Sequence, residues 1–197
     1  MKKHLNLTGR VLLLLALGLF IMPTDASAQS ATEVLHSGDV FPNISGQTTS
    51  GKPIQLSNVI AGKTAIVVFS FSKAAGQDAH RWNDLLSKDY CSDHSLACST
   101  VIMLASAPRL LRGVIVSELS RTMPPSMRDE TIVSYQNQDS WKHRLAVTDD
   151  SRAYVFLLDP SGHIQWRNSG AFSYAEYTKL KSEIHEELQF VKPHSVQ

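Results

Sequence analysis

The chain carries two cysteines, Cys91 and Cys98, and they enclose the sequence Ser-Asp-His-Ser-Leu-Ala. A thiolate becomes reactive where positive charge or a helix N-terminus stabilises it. Here the pair falls at the predicted end of one helix and the start of the next strand. The helix dipole disfavours a thiolate at that end. Two cysteines this close, in an oxidising compartment, read most simply as a structural disulfide. A redox-active pair and two reduced thiols are the other readings. His94 completes a Cys-x-x-His-x-x-x-Cys pattern. Thiolate and imidazole together suit copper or zinc. Three ligands in one loop that can also close a disulfide are a weak metal signal, so the reading is a solvated histidine and no metal site.

Other residues could do chemistry only through folding. Ser70 and Ser72 offer hydroxyls, His80 a base and Asp78 a carboxylate, but a catalytic triad is defined by geometry and no spacing implies one here. Arg109, Arg112, Arg121 and Arg128 give a basic stretch. It is either a solvated helix face or a partner-docking surface, where arginine is enriched. Arg112 and Arg121 are expected on one side of the helix. Trp166 and Arg167 follow a hairpin; Trp166 is expected in the core, and an exposed pair would mark an interaction edge. There is no Gly-rich phosphate loop, His-Glu-x-x-His or calcium loop, and no cofactor is expected.

The elements that must position these residues are legible from the pattern. Residues 37–60 alternate turns with short apolar stretches and predict a β-hairpin around Thr49-Ser50-Gly51-Lys52. Ala65 to Ser72 is an unbroken β-branched and aromatic run, as a strand covered on both faces requires. Residues 76–90 place Trp82, Leu85 and Leu86 at helical spacing, with Trp82 expected beneath the sheet. A buried strand is expected over Thr100–Ser106, a helix over Leu110–Met123 closed by Pro124-Pro125, and a short strand at Thr131–Tyr135. Asp139-Ser140 can cap the next helix. Ala153–Asp159 and His163–Asn168 flank Pro160-Ser161-Gly162 as a hairpin. Ser173, with Glu176 three residues on, opens the last helix. Alternating strands and helices followed by an antiparallel hairpin predict a mixed sheet with helices on both faces, an α/β three-layer class.

Composition limits the rest. The chain has 197 residues, 43% hydrophobic content and a formal charge of +1. It is too apolar for disorder and too neutral to favour nucleic acid. Lys2, Lys3 and Arg10 precede the apolar run Val11 to Met22, which Pro23 ends before Ala26-Ser27-Ala28. That is a secretory signal pattern with cleavage expected after Ala28, and the run is shorter than the roughly 20 residues that span a bilayer. The expected organisation is a signal peptide over 1–28 and a single domain over 29–197, located in the periplasm or secreted.

The segments GDVFPNISGQTTSGKPIQLSNVIAGKTAIVVFSFS and AYVFLLDPSGHIQW resemble the opening and closing parts of the thioredoxin fold in its peroxiredoxin and TlpA-like branch. Members of that branch carry redox cysteines just after the central strand. At the matching positions this chain has Ala74 and Gln77, and the family's cis-proline position holds Ala153. A narrower resemblance, carried by AAGQDAHRW, LLRGVIVSELSRTMPPSMRDE and AYVFLLDPSGHIQWRNSGAFSYAEYTKL, is to the mitochondrial ATP synthase assembly-factor family numbered ten. It implies a non-redox, chaperone-like module for a membrane-complex subunit, for which Arg112, Arg121, Arg128, Trp166 and Arg167, on the chemistry given above, are the candidate partner-binding residues. The alternatives are a divergent thiol-disulfide oxidoreductase or peroxiredoxin-like enzyme using Cys91 and Cys98, and a copper-binding module centred on His94.

Overall fold

The computed structural model describes residues 33–91 and 96–191. Residues 1–28, where a signal peptide is expected, and His94 therefore lie outside the described residues. In chain order the elements are β1 (Ser45–Gln47), β2 (Pro53–Gln55), α1 (Leu56–Ile60), β3 (Ala65–Ser70), α2 (Lys73–Leu86), β4 (Ala97–Met103), α3 (Arg109–Thr122), α4 (Pro125–Arg128), β5 (Thr131–Ser134), α5 (Gln138–Arg144), β6 (Tyr154–Leu158), β7 (Ile164–Asn168) and α6 (Tyr174–Val191). The strands form one mixed sheet in the order β2-β1-β5-β4-β3-β6-β7. β3, β4 and β5 pair in parallel, while β6 and β7 are antiparallel. The α/β class read from the sequence is the one observed.

Every residue of β3 is buried, as its unbroken apolar run requires. Its alternation instead divides two cores. Ala65, Val67 and Phe69 join Phe41, Trp141 and Phe156 on one face. Ile66 and Val68 meet Trp82 and Leu86 of α2, with Leu180 and Ile184 of α6, on the other. Trp82 is fully buried, with Trp166 and Phe172 rings at 6.5 and 5.3 Å. Gly46 of β1 lies against β5 so closely that a Cβ there would collide with the Val133 carbonyl. Gly162 takes φ +87° in the β6–β7 turn, where a side chain would be strained.

The chain before β1 is tied to the far sheet edge. Gly38 N–H donates to the Ile164 carbonyl and Ile164 N–H to that of Asp39, while Phe41 N–H reaches Gly162. At the opposite edge, β2 begins with Pro53.

Three boundaries differ from the sequence reading. β4 runs over Ala97–Met103 rather than Thr100–Ser106, because its parallel register to β3 extends back to Ala97 opposite Ala65. α2 begins at Lys73, capped by Ser72, whose Oγ accepts from Ala75 N–H at 3.1 Å. α5 is capped by Asn137, not Asp139-Ser140: its carboxamide oxygen accepts from Asp139 and Ser140 N–H. The cap of α6 is as expected, with Ser173 Oγ accepting from Glu176 N–H at 3.2 Å.

Candidate functional site

In a strand–helix unit of this kind, the N-terminus of α2 is where a thiolate would be stabilised. Ala74 and Gln77 stand there exposed, with no sulfur beside them in sequence. Ser72 both caps the helix and donates to the Asp150 carbonyl at 2.7 Å. Next to Gln77, Asp78 accepts the N–H of Ala153 at 3.0 Å through Oδ2 and that of Phe172 at 3.0 Å through Oδ1. One carboxylate therefore fastens α2 to the strand entering β6 and to the loop before α6. Ala153 itself is fully buried. His80 leans instead toward Asp84 at 3.5 Å on an exposed helix face. Ser70 is buried within β3. Ser72, His80 and Asp78 thus have separate partners, Ser70 is buried within its strand, and the four form no triad.

Cys91 and Cys98 are disulfide-bonded, with Cα atoms 5.9 Å apart. Cys91 ends a π-helical turn, Ser87–Cys91, that continues α2, and Cys98 is the second residue of β4. Cys98 lies opposite Ile66 in the β3–β4 register, whereas Ala74 follows the other end of β3. Ile66 to Ser70 alone spans about 13 Å of strand. The disulfide forms part of the wall of a cavity of about 320 Å³, with Ile66, Leu86, Thr100 and Met127 among its neighbours. The turn carrying Cys91 is latched to α6: Asp89 accepts from Tyr177 Oη at 2.9 Å and Lys181 Nζ at 3.0 Å. The bond from Lys181, and then that from Tyr177, lower the Asp89 carboxyl below its usual range. Burial first, and the Asp89 bond second, push the Tyr177 phenol well up.

The structure separates the basic residues. Arg112 is turned inward: it donates to the carbonyls of Ala107 and Ala105 and lies over the Tyr135 ring at 4.8 Å. Arg121 projects from the opposite side and makes a bidentate pair with Glu118. They do not share a side, since nine residues are two and a half turns of an α-helix. Arg128 donates through Nε to the Met123 carbonyl. Arg121 and Arg128 do meet, at a groove of about 560 Å³ between α3 and the β1–β2 turn, with Thr49, Ser50, Gly113, Ser117 and Ser120. No local pattern points to this junction, since Thr49 of the turn and Gly113 of α3 are 64 positions apart.

Trp166 and Arg167 point to different faces of β7. Trp166 is half-buried against Trp82. Arg167 donates to the carbonyls of Leu35 at 2.5 Å and Leu145 at 2.8 Å, and desolvation lowers its pKa. Among the described residues no group of three or more His, Cys, Asp or Glu side chains is placed to hold a metal ion.

The sheet order, the two helix layers and the hairpin at each end define a thioredoxin-like α/β protein. Solved structures with this fold include a protein described as a candidate DsbE thiol:disulfide interchange protein from Chlorobium tepidum, at 16% identity and TM-score 0.56, covering 78% of this chain and 99% of that one. The exposed lipoprotein thioredoxin Etrx1 of Streptococcus pneumoniae matches at 12% identity and TM-score 0.54, covering 73% and 99%. A peroxiredoxin-like protein from Aquifex aeolicus matches at 11% identity and TM-score 0.50, covering 76% and 88%. At such identities the likeness is one of fold. No curated protein matches by sequence. The model of the ATP10 protein family matches residues 36–186, and the chain belongs to that family.

Proposed function

We propose that the chain is a non-redox assembly factor that acts on a subunit of the ATP synthase membrane sector. The observation that carries this reading is the family match over residues 36–186. The exposed Ala74 and Gln77 at the start of α2 support the non-redox part, because a dithiol exchange needs sulfur at a site that lowers its pKa. The signal pattern supports export with cleavage after Ala28, leaving residues 29–197 as one periplasmic domain. Deleting the gene in the native host and resolving ATP synthase on native gels tests the assembly role. Accumulation of unassembled membrane sector is the expected result, and an intact complex at wild-type level overturns it. N-terminal sequencing of the purified native protein tests cleavage, with Gln29 expected first.

A second reading has one observation in its favour. The disulfide is half-exposed and borders a cavity, so thiol–disulfide exchange at Cys91 or Cys98 is sterically open. It predicts insulin reduction by the dithiol form at the rate of a thioredoxin. The assembly reading predicts none above the uncatalysed rate.

A further inference from the structure

Helix α3 is fourteen residues long and buries none of them. A helix of a folded domain is ordinarily held by an apolar stripe facing the core. Ile115, Val116 and Leu119 are half-buried on its inner side, but three further apolar side chains of α3 face away from the core. Leu110 is 94% exposed, Val114 67% and Leu111 52%. Leu110, Val114, Ser117 and Arg121 follow at i, i+4, i+7 and i+11, so they form one line along the outer face. Beside that line runs the groove to the β1–β2 turn. Its floor is made of small residues: Gly113, where a Cβ would meet nothing, then Ser117 and Ser120.

The charges around this surface do not balance. Arg121 is matched by Glu118, and Lys52 lies 3.8 Å from Asp129. Among the described residues, the terminal nitrogens of Arg128 and the whole guanidinium of Arg109 have no acceptor, and the hydroxyls of Ser117 and Ser120 have no partner. The surface is thus an apolar ridge bordered by unmatched cations and free donors. Its complement is a segment that presents leucine-like side chains together with carboxylates.

We propose that the outer face of α3 and the groove beside it form a docking site for an acidic, amphipathic helix of a client protein. The helix lays its apolar stripe on Leu110 and Val114 and points its carboxylates at Arg128 and Arg109. The small groove floor lets the two backbones approach closely. This inference rests on the assembly reading for its client and names the surface that reading lacks.

The test uses the purified full chain and a fluorescent helical peptide built from leucine, alanine and glutamate, with a twin carrying lysine for glutamate. Fluorescence anisotropy is expected to show binding of the glutamate peptide and at least about tenfold weaker binding of the twin. Val114→Glu and Arg128→Glu each weaken the glutamate peptide by about tenfold, with the fold intact by circular dichroism. Arg109→Glu combined with Arg128→Glu transfers the preference to the lysine twin. Equal affinity for both peptides, or indifference to Val114→Glu, overturns the proposal. So does sedimentation of the protein with phosphatidylglycerol vesicles when it binds neither peptide, which makes the surface a membrane contact. In the host, normal ATP synthase assembly by the Val114→Glu, Arg128→Glu variant overturns the docking site and leaves the assembly role standing. Normal assembly in the deletion strain removes that role without touching the peptide result.

Discussion

Cys98 sits opposite Ile66 in the parallel ladder of β3 and β4, and so the disulfide closes the end of the sheet remote from Ala74. The scaffold keeps its sulfur at the end of α2 rather than at its start. The bond closes a short loop, and cross-linking a loop of that size removes unfolded-state entropy equivalent to about 2.5 kcal/mol. Cys91→Ala with Cys98→Ala is expected to lower the urea-derived stability by about that amount, with the sheet intact by circular dichroism. Reduction of the wild-type protein under the same conditions lowers its midpoint to match the double variant.

Asp78 joins three parts of the chain through two backbone N–H groups. Asp78→Ala leaves the N–H groups of Ala153 and Phe172 without their acceptor, at a cost of about 2–3 kcal/mol. Asp78→Asn keeps only one acceptor oxygen and falls between wild type and alanine. Thermal melts of the three proteins order them, and equal melting temperatures would refute the role of the carboxylate.

Arg167 holds the entering chain against the end of α5. Its two carbonyl acceptors, on Leu35 and Leu145, belong to residues that are themselves buried. Arg167→Met is expected to cost about 2–3 kcal/mol. Arg167→Lys recovers little of it, since an ammonium does not reproduce the two-pronged guanidinium. Limited proteolysis near residue 35 accelerates in both.

The Asp89 latch makes an acid-sensitive contribution. Its carboxyl is held below its unfolded value, so the latch contributes in full above the usual carboxylate range and is lost as pH falls through the depressed pKa. Asp89→Asn is expected to flatten the acid limb of melting temperature against pH, and to converge with wild type at the lowest pH. Parallel limbs for the two proteins would contradict the linkage.

Much of the architecture follows from local pattern. The unbroken run from Ala65 has one physical use, a strand covered on both faces, and Ser173 with Glu176 marks its helix start because the cap needs no tertiary partner. The boundaries that moved were set by distant contacts. β4 begins at Ala97 and includes Ser99, residues with little strand preference of their own, because pairing with β3 outweighs it. α5 starts early, and Gln138 in its first turn donates to the Phe71 carbonyl, a contact 67 residues away in sequence.

The chemistry was less legible than the fold. The absence of cysteine beside the central strand is visible in residue types alone. The role of Asp78 is not: it accepts from residues 75 and 94 positions downstream. Arg112 resembles Arg121 in sequence, yet one clamps a loop and the other meets solvent, a difference fixed by helical phase and by Tyr135.

Both margins of the sheet are protected from self-association. Pro53 removes a donor from β2, and the strand-like segment from Gly38 to Phe41 shields the beginning of β7. A chain shortened past Phe41 would uncover that ladder and offer it to its own copies, so solubility during refolding depends on a stretch that contributes no strand of its own.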